Sequence, residues 1–155
     1  MLSRKKGLKK ILVAIDGSEA SIHAANYASD IAARGDSCCT LYFLHIIPPK
    51  LPAAQSSGYF GAVPIDYQKE IRQKAYGWFD RISAKVPKKD HIHVIKKVIS
   101  TGTSIVAEIT NYADGNQIEL VVVGATGKSG LRRLLLGSVS GGLVAHSNCS
   151  VLVVR

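Results

Sequence analysis

The chain has 155 residues, 46% hydrophobic and 20% charged, the profile of a globular domain able to bury a core without disulfides or a structural metal. No apolar run approaches the roughly 20 residues of a membrane span, and the N-terminus lacks the apolar stretch and cleavage site of a secretory signal. The net charge of +9 would suit nucleic acid, yet Arg4, Lys5, Lys6, Lys9 and Lys10 crowd the first ten positions and the other basic residues are scattered among acids, with no basic stripe interleaved with aromatics, so neither a specific nucleic-acid partner nor a membrane partner is expected.

Residues 1–8 read as a flexible basic tail, and residues 9–155 as a single domain. Residues 9–15 contain Ile-Leu-Val-Ala-Ile, the continuous apolar run of a buried parallel strand. Asp16-Gly17 breaks it, and Ser18 is placed to cap a helix with Glu19 in its first turn. Ile22, Ala25, Ala28 and Ala32 give that helix a face of mostly small residues, and Gly35 ends it. A second strand at 38–47 closes at Pro48-Pro49. Residues 48–64 hold four of the five prolines together with Gly58 and Gly61, the composition of a mobile loop.

From Ile65 the period changes. Ile71, Ala75, Trp78, Phe79, Ile82 and Val86 fall on one face of a helix, so the aromatic pair is read as core rather than as a ligand platform. A third strand spans 91–99. Gly102 turns the chain, Thr103 or Ser104 caps a helix burying Ile105, Ile109, Tyr112 and Ala113, and Gly115 is its expected stop. A fourth strand at 119–124 leads into a glycine-rich loop, a helix over about 138–146 and a last strand at 151–154.

This alternation predicts an α/β fold: an open five-stranded parallel sheet in the order 3-2-1-4-5, with helices on both faces. Ligands in such sheets bind where the order reverses, beyond the carboxyl ends of the first and fourth strands. Asp16 ends the first strand. The fourth runs into Gly124-Ala-Thr-Gly127-Lys-Ser-Gly130-Leu-Arg-Arg-Leu-Leu-Leu-Gly137-Ser138. Gly124 and Gly127 let the backbone approach a ligand, and Gly137-Ser138 opens a helix whose leading amides favour an anion. Ser138 and Ser140 add hydroxyl donors, and Lys128, Arg132 and Arg133 add positive charge, a set suited to a polyphosphate. Asp16 opposite is an acceptor for ribose hydroxyls. Taken singly, Asp16 could merely end a strand and cap a helix, Gly124 and Gly127 could be turn residues, and Gly137-Ser138 an ordinary helix start. Gly127-Lys128-Ser129 is not the end of a P-loop, because the glycine required five residues earlier is replaced by Val122 inside a strand. GxGxxG is absent after the first strand.

The spacing Gly124, two residues, Gly127, nine residues, Gly137, Ser138 resembles the nucleotide motif of the universal stress protein family. So do the opening run from Lys10 through Asp16 to Ser18, His45-Ile46 at the end of the second strand, and the closing run from Cys149 to Arg155. The resemblance implies a Rossmann-like, adenine nucleotide alpha hydrolase-like fold, a cytoplasmic location, a stress-resistance role and ATP as ligand, with Mg2+ or Mn2+ held by the phosphates. It implies that Ala14, Ile15 and Asp16 lie beside adenine and ribose, that Ile46 meets adenine through its backbone, and that Val123 and Gly124 flank the sugar. Gly127, Gly137, Ser138, Val139 and Ser140 would hold the phosphates. The family also pairs through its last strand, and the run 151–154 has no proline or lysine to blunt an edge, so a homodimer is expected.

No general base or dedicated metal carboxylates stand beside the loop, so the protein is read as a regulatory nucleotide binder with slow or no ATP hydrolysis rather than an enzyme, acting on an unidentified protein partner. The rival readings are a dimeric partner-binding module with a vestigial glycine loop and a slow nucleotide hydrolase. His91 and His93, at i and i+2, have no third metal ligand nearby in sequence. Cys38, Cys39 and Cys149 have no CxxC spacing, and reduced thiols in small apolar packing are expected.

Overall fold

The computed structural model of the chain describes residues 7–48, 64–126 and 136–155. Most of the predicted tail and proline-rich loop, together with Gly127, Lys128, Arg132 and Arg133, lie outside these residues. The elements alternate as β1 (Lys10–Ala14), α1 (Glu19–Arg34), β2 (Cys39–Ile47), α2 (Ile65–Ser83), β3 (Ile92–Ser100), α3 (Ile105–Gly115), β4 (Leu120–Gly124), α4 (Ser138–His146) and β5 (Ser150–Val154). The sheet order is β3-β2-β1-β4-β5 and every pairing is parallel, as the alternation predicted.

The register sets the two faces. Ile11 pairs with Leu41 on one side and Leu120 on the other, so residues of one parity share a face across the strands. On one face Ile11, Val13, Leu41 and Phe43 pack against Ala24, Ala25, Ala28 and Ala32 of α1 and Ala75, Phe79 and Ile82 of α2. On the other, Leu12, Leu44, Val121 and Val123 meet Ile109 and Ala113 of α3 and Leu143 of α4. Each large side chain so buried contributes about 1.5–3 kcal/mol. The alanine face of α1 includes Ala24, whereas Ile22 is only partly covered, because the helix rolls its small residues onto the strands.

The helix ends refine the sequence reading. Ser18 caps α1, its Oγ accepting from the Ser21 amide at 3.2 Å. Of the two candidates for α3, Ser104 is the cap, accepting from Ala107 N at 3.0 Å, while the Thr103 amide donates to Thr101 Oγ1. Gly35 closes α1 in an extended conformation, with φ −78°. Gly115 is the last residue of α3, not its stop. The Ile118 amide reaches Ala113 O at 2.9 Å and the Gln117 amide reaches Asp114 O at 3.1 Å, so the left-handed position of this Schellman ending falls on Gln117, at φ 56°. No helix of the described residues is long and apolar enough to cross a membrane.

β3 and β5 form the sheet's two edges. Lys96 and Lys97 blunt β3, with Lys96 Nζ 2.8 Å from Asp80, whereas β5 carries neither lysine nor proline. The adjacent cysteines separate as strand alternation requires: Cys39 is buried, but Cys38 is exposed, which corrects the expectation of apolar packing for that thiol. Burial, reinforced by Cys38 and Glu119, pushes the Cys39 thiol from an ordinary 9.0 up to about 11. Above about pH 9 the unfolded chain loses this proton while the folded chain keeps it, so the thiol's contribution to stability falls as pH rises toward 11. Urea unfolding of wild type and Cys39→Ala should show the wild-type advantage shrinking across that range. An advantage independent of pH would contradict the burial argument.

Candidate functional site

At the reversal between β1 and β4 a cavity of about 330 Å3 opens beyond the carboxyl ends of the strands. Four chain segments that the sequence marked converge on it, and α3 supplies a further wall.

The end of β1 contributes Ala14, Ile15 and Asp16. The strand is held there by Ile15 N donating to Leu44 O at 2.9 Å. Asp16 then turns the chain: its Oδ1 accepts from the Ser18 amide at 2.9 Å and from Ser18 Oγ at 2.5 Å. Its own amide donates to Ser21 Oγ at 3.3 Å. Thus β1 ends at Ala14, two residues before Asp16, which braces the helix cap and also lines the cavity. Gly17 between them sits at φ 81°, a conformation that favours glycine.

The end of β2 contributes Leu44, His45 and Ile46. His45 Nδ1 donates to Ile15 O at 2.7 Å, which assigns the proton to that nitrogen and ties β2 to the residue that follows β1. Ile105 and Ile109 of α3 complete an apolar wall with Val123.

The end of β4 contributes Val123, Gly124 and Thr126, and the start of α4 contributes Gly137, Ser138, Val139 and Ser140. Gly137 N donates to Ala125 O at 2.8 Å, which returns the chain to the strand end after the loop. The first amide of α4 with a helical partner is that of Gly141, which reaches Gly137 O at 2.8 Å. The amides of Ser138, Val139 and Ser140 precede this ladder. Gly137, their cap residue, has no side chain to accept from them, so an outside acceptor is favoured at this end of the helix. Ser140 is a correction. Its buried Oγ donates to Ala125 O at 2.9 Å and Gly137 O at 3.1 Å, so its hydroxyl braces the turn instead of supplying a donor to the cavity.

The two described motif glycines serve different ends. A Cβ at Gly124 would stand 2.7 Å from the backbone carbon of Ala20, so glycine is required there by the approach of α1 to β4. A Cβ at Gly137 would meet nothing nearer than Ala125 O at 3.4 Å, so packing does not demand glycine at that position.

Ten of the eleven residues implied by the resemblance line this one cavity; the eleventh, Gly127, lies outside the described residues. Ser21, Leu44, His45, Ile105, Ile109 and Thr126 line it as well, and sequence reasoning did not place them there. Helical spacing gives Ile105 and Ile109 only as a buried face. Of the aromatic pair, Phe79 is fully buried and Trp78 is half-buried against the same core, with its indole edge-on to the His45 ring at 5.3 Å and outside the cavity lining. Among the described residues no group of three or more His, Cys, Asp or Glu side chains is placed to hold a metal ion.

Residues 7–155 match the sequence model of the universal stress protein family. A universal stress protein of Methanocaldococcus jannaschii is 32% identical over 149 residues, covering 95% of this chain and 82% of that one. The Bacillus subtilis universal stress protein YxiE is 31% identical over 150 residues, covering 94% and 98%. Solved structures share the fold. A universal stress protein of Archaeoglobus fulgidus in complex with dAMP aligns with a TM-score of 0.68 at 18% identity, covering 97% of this chain and all of that one. A universal stress protein in complex with cAMP aligns at 0.64 and 23%, covering 97% and 98%. An Arabidopsis thaliana family protein with AMP bound aligns at 0.60 and 14%, covering 94% and 90%.

Proposed function

The chain belongs to the universal stress protein family, and from that premise we propose that its cavity binds ATP and that occupancy switches a regulatory surface in a stress response. The observation that carries this reading is the uncapped start of α4, opening at Gly137 into a cavity with Asp16 and an apolar wall of Ile46, Ile109 and Val123. The amides suit phosphate oxygens, Asp16 suits ribose hydroxyls, and the wall suits a flat base. The AMP, dAMP and cAMP of the structural relatives support adenine as that base. Mg2+ or Mn2+ would be held by the phosphates, since the described lining offers a single carboxylate, Asp16, whose Oδ1 already accepts from Ser18. The same lining supports binding over turnover. Its titratable groups are Asp16 and His45, and His45 Nδ1 is committed to Ile15 O. Steady-state phosphate release well above that of a binding-dead variant would contradict this.

The decisive comparison is thermal unfolding of wild type and Gly137→Asp, each with and without Mg-ATP, AMP and cAMP. Aspartate at the cap position accepts from the α4 amides and repels phosphate, so this variant should keep its stability without ligand and lose the response to nucleotide. At about 100 times its dissociation constant a ligand adds roughly 2.7 kcal/mol, about 5–10 °C for a chain of this size. A wild type unmoved by any of the three, once co-purified nucleotide is excluded, would leave the glycine loop vestigial. The ranking of the three separates an ATP site from a monophosphate site.

We also propose that β5 pairs with its twofold mate in a homodimer, because it is an edge strand that carries neither lysine nor proline. Light scattering at micromolar concentration should give twice the chain mass, and Leu152→Pro should halve it. A wild-type monomer would refute the pairing.

A further inference from the structure

We infer that Trp78 is a positioning residue for the nucleotide site, holding the Asp16-Gly17-Ser18 turn from the side of α2; this rests on the nucleotide reading of the cavity given above. Trp78 is the chain's only tryptophan, and it projects from α2, a helix that contributes no residue to the cavity lining. A Cβ at Gly17 would stand 2.4 Å from indole Cε2 and Cζ2, so the ring already lies against the backbone of the turn. The turn therefore needs glycine twice, for its φ of 81° and for the indole. The same ring meets His45 edge-on at 5.3 Å, and His45 holds Ile15 O at 2.7 Å. One side chain thus touches two of the groups around the end of β1: the imidazole bonded to the Ile15 carbonyl and the glycine between Asp16 and Ser18.

Phe79 is fully buried and serves the core, whereas Trp78 borders a cleft of about 140 Å3 between α1 and α2, lined also by Ile22, Asn26, Arg81, Ile82 and Lys85. Among the described residues this cleft leaves one side of the indole open, so shortening the side chain withdraws it from the turn. Without it the left-handed Gly17 is freer to relax, and the turn that carries Asp16 loses a support that acts beside its bonds to Ser18 and Ser21. A site gains affinity from groups held in place before the ligand arrives, so this loss appears in binding.

The test compares wild type, Trp78→Phe, Trp78→Leu and Phe79→Leu, with Mg-ATP affinity measured by calorimetry at a temperature where circular dichroism shows each protein folded. Trp78→Leu should bind about tenfold more weakly, the equivalent of 1.4 kcal/mol, and Trp78→Phe, which keeps a ring against Gly17, should recover most of that loss. Phe79→Leu should lower the melting temperature while binding like wild type. The indole emission of the wild type should change on saturation. A folded Trp78→Leu with wild-type affinity overturns the inference, as does a Phe79→Leu that loses as much affinity as Trp78→Leu. If Trp78→Leu does not fold, the emission decides: an unchanged spectrum at saturation confirmed by dialysis overturns it. Wild type that binds none of ATP, AMP and cAMP removes the nucleotide reading and this inference with it, whereas intact wild-type binding with an unaffected, folded Trp78→Leu removes this inference alone.

Discussion

Replacing Gly124 by alanine is expected to destabilise the protein by about 1–3 kcal/mol, the usual range for forcing a methyl group into packed structure. The new Cβ would stand 2.7 Å from Ala20 C, 2.8 Å from its O and 2.9 Å from its Cβ. Two of these are backbone atoms, so no side chain can swing aside to make room. Either the end of β4 or the first turn of α1 must move. Ala20 lies two residues after Ser18, whose hydroxyl bonds both Asp16 Oδ1 and the Ser21 amide, so movement of α1 also disturbs the turn that faces the cavity. Nucleotide affinity should therefore fall even where the variant remains folded. Gly137→Ala is the contrast within the same motif. Its Cβ would meet Ala125 O at 3.4 Å, an ordinary contact, and α4 has no side-chain cap to lose, so the change in stability should stay below about 1 kcal/mol. Urea midpoints of the two variants measure the difference. Equal losses would show that the Ala20 contact does not set the requirement at Gly124.

That contrast also marks what the sequence could reveal. The strand order and the two helix layers were legible because buried parallel strands read as short apolar runs and the intervening helices read at a different period. The carboxyl ends of the first and fourth strands then named the right place before any geometry was known. The reason for each glycine was not legible. A glycine in a sequence does not say whether anything comes close: at Gly124 the backbone of Ala20 in α1 does, and at Gly137 nothing lies nearer than 3.4 Å to a Cβ. Trp78 packs against the core as its helical face predicts, but periodicity gives the face of a side chain and not its reach along the sheet, and the long indole on α2 extends to Gly17. Residue type and position say nothing of where a hydroxyl proton goes, and at Ser140 it is shared between two carbonyls of the turn. The stop of α3 falls on Gln117 instead of Gly115 because packing of Ile118 into the core sets the end of that helix, against the local preference for glycine.

Asp16→Asn is expected to leave stability nearly unchanged and to weaken nucleotide binding by about ten- to a hundredfold. The substitution keeps an oxygen where Oδ1 accepts from the Ser18 amide at 2.9 Å, so the turn and the α1 cap survive. It removes the negative charge. If Asp16 holds ribose hydroxyls, each bond to it is charge-assisted and worth about 1.5–3 kcal/mol, against roughly 0.5–1.5 kcal/mol for a neutral acceptor. The difference is about 1–1.5 kcal/mol per bond and about 1–3 kcal/mol over one or two hydroxyls, which brackets the ten- to hundredfold loss. Asp16→Ala separates the two duties of the residue. It removes the acceptor from Ser18 as well, so stability should fall by about 1 kcal/mol, the typical cost of a lost local hydrogen bond, with binding lost at least as far as in the asparagine variant. Calorimetric titration with Mg-ATP and urea unfolding on the same two proteins resolve these effects. An asparagine variant that binds like wild type would restrict Asp16 to bracing the turn and move ribose recognition elsewhere in the cavity. Binding lost in both variants, with stability lost only in the alanine one, would assign the carboxylate to the ligand.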